Sequence, residues 1–166
     1  MIGGDDRHAP LAEIMDATRM PLDDVADARI LAVLSYWRDR RRDAGMPRRA
    51  DIEPTALRAH LDRISLVDVT HDPLRYRFRL VGTGVARVVG HDNTGRWVDE
   101  IEPKAQRDIL IAHYGAAVRE RAPVVHEVCS QSADGAYRYV RVCCPLSEDG
   151  NTVNMLLLAS FSLDDG

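Results

Sequence analysis

The segment Leu74-Arg-Tyr-Arg-Phe-Arg-Leu80 alternates apolar and cationic residues without a break. Successive side chains of a β-strand point to opposite faces, so this run has one apolar and one guanidinium face, whereas a helix would mix them. The strand must be half buried, with Tyr76 and Phe78 inward and Arg75, Arg77 and Arg79 outward. A one-residue slip would drive three guanidiniums into the core. Ile64 to Thr70 is a second β-rich run, and His71-Asp-Pro73 supplies the turn that joins the two as an antiparallel hairpin.

Three further strands are expected near the C-terminal end, at Pro123 to Ser132, Ala136 to Leu146 and Thr152 to Leu163. Asp134-Gly135 and Asp149-Gly150 stand at their junctions, a dipeptide that favours hairpin turns. Between the two β groups the period changes. Short helical turns fit between Val85 and Glu102, and a longer helix runs from Lys104 to Arg121, with Leu110, Ile111, Tyr114, Ala117 and Val118 on one side. Two strands, helices, then three strands make an α+β domain: a five-stranded antiparallel sheet covered on one face by helices.

Ahead of this domain, residues 1–22 carry two glycines and two prolines and read as a loosely ordered arm. Residues 23–45 form an N-terminal helix and 46–163 the domain itself, with a short helix at Pro54 to His60. Acids at Asp23, Asp24 and Asp27 and arginines at Arg38, Arg40, Arg41 and Arg42 complement the helix dipole; Gly45 and Pro47 stop the helix. Ile30, Leu31, Leu34 and Trp37 share one face, which either docks on its own domain or forms a seam with a second copy. The long helix already takes one face of the sheet, so we expect the seam, in a homodimer of the closed C2 kind.

At 166 residues the chain has room for one core, and 45% hydrophobic with 29% charged residues suits a soluble globular domain. No apolar run approaches the roughly 18 residues of a membrane span, and the first residues lack the apolar stretch of a signal peptide. The net charge of −4 gives no drive toward nucleic acid. Cys129, Cys143 and Cys144 are a poor disulfide framework, so a cytoplasmic location is expected.

Motifs for chemistry are sparse. Gly82-Thr-Gly84 follows a strand, but Arg87 stands where a dinucleotide fingerprint needs its third glycine, and no Gly-Lys-Ser/Thr marks a phosphate loop. No two of the six histidines are spaced i, i+4, so no metal site is expected. His113 lies on the flank of the long helix, from which a haem iron could be ligated. No nucleophile elbow occurs. Cys143 and Cys144 point to opposite faces of one strand; core packing suits the inward one, and Arg141 is the only nearby cation that could activate Cys143. Arg38 to Arg49 holds six arginines and two aspartates, a solvated helix end whose guanidinium forks also match phosphate oxygens.

Taken in order, Leu34-Ser-Tyr-Trp37, Met46-Pro-Arg-Arg-Ala-Asp-Ile-Glu-Pro54, Leu66-Val-Asp-Val69, Tyr76-Arg-Phe-Arg-Leu-Val-Gly-Thr83, Gly90-x-x-x-x-Gly95 and Cys144-Pro-Leu-Ser-Glu-Asp-Gly150 resemble a bacterial PAS-domain subfamily over about residues 30–162. The resemblance implies a stand-alone sensory module. The Asn-Cys-Arg-Phe-Leu-Gln motif of flavin-binding photosensors is absent, so flavin photochemistry is not implied. No kinase or cyclase accompanies the module, so it is expected to act through an unknown signalling protein. The expected function is non-enzymatic: a small ligand or protein partner binds in or near a cavity between the long helix and the sheet, lined by Phe78, Leu80, Leu110, Tyr114, Ala117 and Val118. The alternatives are a haem-based redox or gas sensor using His113 and a ligand-free structural adaptor. No cofactor is predicted.

Overall fold

A computed structural model describes residues 13–43, 45–132 and 135–164. Its centre is a six-stranded antiparallel sheet in the order β1-β4-β5-β6-β2-β3, with β1 at Glu13–Met20, β2 at Ile64–Thr70, β3 at Arg75–Leu80, β4 at Val124–Ser132, β5 at Gly135–Leu146 and β6 at Met155–Ser162. The helices are α1 (Ala28–Asp39), α2 (Thr83–Val89) and α3 (Lys104–Glu120). The five expected strands are all present. Ser132 pairs with Gly135 across the β4–β5 hairpin; Asp134, expected in that turn, lies outside the described residues.

The sixth strand corrects the reading of residues 1–22 as an arm. Residues 1–12 lie outside the described residues, but Glu13–Met20 forms β1, paired antiparallel with β4 from Glu13↔Gln131 to Met20↔Val125. Without it, β4 would present a row of unpaired backbone donors and acceptors. Backbone pairing asks little of side chains at an edge, so the apolar alternation that marks a central strand is missing here. Arg19 anchors the strand through two 2.6 Å bonds from its guanidinium to the Glu120 carboxylate at the end of α3.

The N-terminal helix is shorter than expected. Asp27 caps it, its carboxylate accepting the Arg29 and Ile30 amides at 2.9 and 3.4 Å, so α1 starts at Ala28 and Asp23 and Asp24 fall in a separate 3-10 turn. The seam with a second copy through Ile30, Leu31, Leu34 and Trp37 is also corrected. Ile30, Leu34 and Trp37 are buried within the chain, and Leu31 is 40% exposed. The reason lies in the sheet's second face. The Arg29 guanidinium covers Phe161, and Trp37 Nε1 donates to the Pro145 carbonyl at 2.8 Å. Phe161 pairs with Val140, the neighbour of Arg141, so α1 and α3 lie on opposite faces.

The arginine-striped strand behaves as expected at its centre: Tyr76 and Phe78 are buried, and Arg77 and Arg79 exposed. Its ends differ, since Leu74 and Leu80 are 46% and 50% exposed. Leu66 pairs with Leu80 and the next residue, Val67, pairs with Phe78, so a β-bulge inserts Arg79 between them. The inserted residue reverses the alternation and carries Leu80 to the face away from α3. The expected short helix at Pro54 to His60 is 3-10 in form, and a kink at His60 divides it from a further short 3-10 turn within Pro54–Arg63.

Candidate functional site

A partly open cavity of about 80 Å3 lies between the sheet, α2 and the N-terminal half of α3. Of the residues expected around it, Phe78 from β3 and Leu110 and Tyr114 from α3 are in its lining. Val85, Val88 and Val89 from α2 add an apolar wall that sequence reasoning missed, because seven residues of helix are too short to show a face. Leu80, Ala117 and Val118 do not line it. The bulge removes Leu80. Ala117 and Val118 lie toward the end of α3 that Arg19 and Glu120 tie to β1, where Ala117 is fully buried.

The polar side chains of the lining are Arg63, Ser65, His91, Asn93, Gln106, Ser160 and, on β5, Arg141, besides the tyrosines. Tyr137, Tyr139 and Arg141 alternate along β5 on the face toward α3, which puts a guanidinium where the pattern calls for an apolar side chain. Arg141 is 6% exposed. Its Nη2 donates to His113 Nδ1 at 2.7 Å, and its Nε is buried with no hydrogen-bond partner. Because the guanidinium has no acceptor to offer, Nδ1 of His113 must be unprotonated. The His113 ring stacks on His126 of β4, centroids 3.4 Å apart and planes 9° from parallel.

These contacts fix the charge states. Burial, then Arg141 and then His126 push the His113 pKa down to about 2. Burial, then Arg141 and Arg19 push His126 down to about 4, opposed by Glu120. Both imidazoles are therefore neutral at pH 7. Cys143 is on the same strand face two residues on, and burial raises its thiol to about 12 despite Arg141. It is a core side chain, not an activated thiolate. His113 does not line the cavity. One ring nitrogen meets Arg141 and one ring face meets His126, so its placement does not fit an axial ligand reaching a haem in the cavity. In the arginine-rich stretch, Arg42 and Arg48 pair with Asp51 and Arg40 with Glu53, which neutralises much of its charge. Among the described residues no cluster of three or more metal-ligating side chains occurs, and no helix is long and apolar enough to cross a membrane.

A six-stranded antiparallel sheet, a long helix across it and a cavity beneath that helix are the geometry against which known families can be compared. The family model described as PAS domain matches residues 26–158. The chain belongs to the PAS-domain family. PAS domains are generally sensory or signalling modules. Among solved structures, this PAS chain is similar to the PAS domain of a protein from Colwellia psychrerythraea, at 13% identity and a TM-score of 0.45, covering 69% of this chain and 100% of that one. It is also similar to an RNA-binding Light-Oxygen-Voltage receptor, at 15% identity and a TM-score of 0.50. That match covers 92% of this chain and 40% of the receptor chain. The likeness to the receptor speaks to fold alone. A comparison with curated proteins yields no match.

Proposed function

We propose that this PAS domain is a non-enzymatic sensory module that binds a small molecule in the cavity beneath α3 and passes on its occupancy by contact with a signalling protein. The observation that carries this reading is the cavity itself: mostly apolar, partly open, with a few polar side chains, which is the make-up of small-ligand sites. The ligand-free adaptor is the competing reading, and it requires a core with no room. Mass spectrometry of small molecules released on denaturing the purified protein separates the two. The sensor reading expects one released species near stoichiometric yield, absent from a folded Val88→Phe variant whose ring fills the cavity. A protein that releases nothing, and whose melting temperature no metabolite extract raises, would be an adaptor.

A further inference from the structure

We infer that the cavity takes a small carboxylate with an apolar tail, its head group held by Arg141. This rests on the proposal that the cavity binds a ligand, and it names the ligand's chemistry.

Arg141 lines the cavity, is almost wholly buried and cannot shed its proton. The partners that its guanidinium does have are the neutral His113 imidazole and, 5.8 Å away, the face of the Tyr139 ring, and neither is a carboxylate. Its Nε is buried with no acceptor, and among the described residues no carboxylate forms an ion pair with it. The lining of the cavity contains no aspartate or glutamate, and its other arginine, Arg63, lies beside Asp62 at 3.5 Å. A buried cation without a countercharge is among the costliest arrangements in a protein interior. An anion entering the cavity would supply both the missing charge and the missing acceptor.

The same residues narrow the anion. One uncompensated positive charge matches a monoanion, and a planar guanidinium fork matches the two oxygens of a carboxylate. A phosphate dianion would bring a second charge, and the other arginine of the lining, Arg63, already has the Asp62 carboxylate 3.5 Å away. Beyond the guanidinium the walls are Val85, Val88, Phe78, Leu110 and Leu158, which suit a hydrocarbon tail.

Calorimetric titration of the full chain with butyrate and hexanoate, against butyramide and hexanamide at constant ionic strength, tests the inference. The acids should bind, and the amides should bind about tenfold to a hundredfold more weakly, the worth of a hydrogen-bonded charge. Arg141→Gln should erase that difference between acid and amide. Equal binding of acid and amide would overturn the carboxylate inference and leave the cavity a ligand site. Failure of all four probes also rejects the carboxylate; the sensor reading then stands or falls on whether the purified protein releases a different molecule. If Arg141→Gln does not fold, the acid-to-amide comparison on the wild-type protein decides.

Discussion

The side chains that most distinguish this domain are three that meet between α3 and the sheet: His113, His126 and Arg141. Arg141 on β5 and Arg19 on β1 disfavour protonation of the imidazoles, and Glu120 on α3 favours that of His126, yet burial dominates for both. An unfolded chain takes up protons on these histidines near pH 6.5, whereas the folded one waits until about 4 at His126 and about 2 at His113. Between those values the unfolded state binds more protons, so stability is full above pH 6.5 and falls as the pH drops. The carboxylates held low by partners, such as Glu120 with an ordinary value of 4.5, contribute only further down. The melting temperature should therefore fall between pH 6.5 and 4.5, and His126→Phe, which keeps a stacked ring, should make that slope shallower. A melting temperature that stays flat across this window would contradict the buried neutral pair. Of these three residues, the sequence placed Arg141 on the strand face of Cys143 and His113 beside the apolar stripe of α3. Their mutual contact was not legible, since β5 and α3 are brought together only when the helix packs across the assembled sheet.

At the scale of elements, the junction between β3 and α2 depends on close approach. A Cβ at Gly82 would lie 2.4 Å from the Asp62 carbonyl oxygen and 2.7 Å from that of Ile64, both backbone atoms with little room to move. At Gly84 the nearest atom, at 2.7 Å, is the Asp62 side-chain carboxylate, which can swing aside. Gly82→Ala should therefore cost about 1–3 kcal/mol in urea unfolding, the range for overpacking, and Gly84→Ala clearly less. Equal costs would mean that the Asp62 backbone yields. The pair of glycines stood out in the sequence as a strand-to-helix turn, and the dinucleotide reading failed on Arg87. What the glycines make room for, the backbone of a distant 3-10 run, could not be read from spacing.

For the whole molecule the open question is how the chain covers both faces of one sheet. α3 takes one face and α1 the other, so Leu34, 1% exposed, is a core residue of the single chain, while its neighbour Leu31 is not. Leu34→Asp should abolish cooperative unfolding, because it buries an unpaired carboxylate. Leu31→Asp should stay within about 0.5 kcal/mol of wild type, as exposed substitutions do. Circular dichroism with light scattering checks both. A Leu34→Asp protein that remains folded and merely halves its mass would restore the two-copy seam and reject packing within the chain.

The sequence by itself determined whatever depends on near neighbours along the chain. The arginine-striped strand, its hairpin partner, the three C-terminal strands, the long helix with Leu110 and Tyr114 on one side, and hence the α+β class, all follow from periods of two or 3.6 and from turn residues. The tertiary structure decided whatever depends on register and on space left over. A single bulged residue sent Leu80 to the other face, an edge in need of backbone partners drew Glu13–Met20 into the sheet, and an uncovered second face took up α1. Arg141 belongs to the same group. Its place on β5 is local, but its burial without a countercharge exists only because α2 and α3 close over it, and a buried charge is defined by what surrounds it and not by its position in the chain.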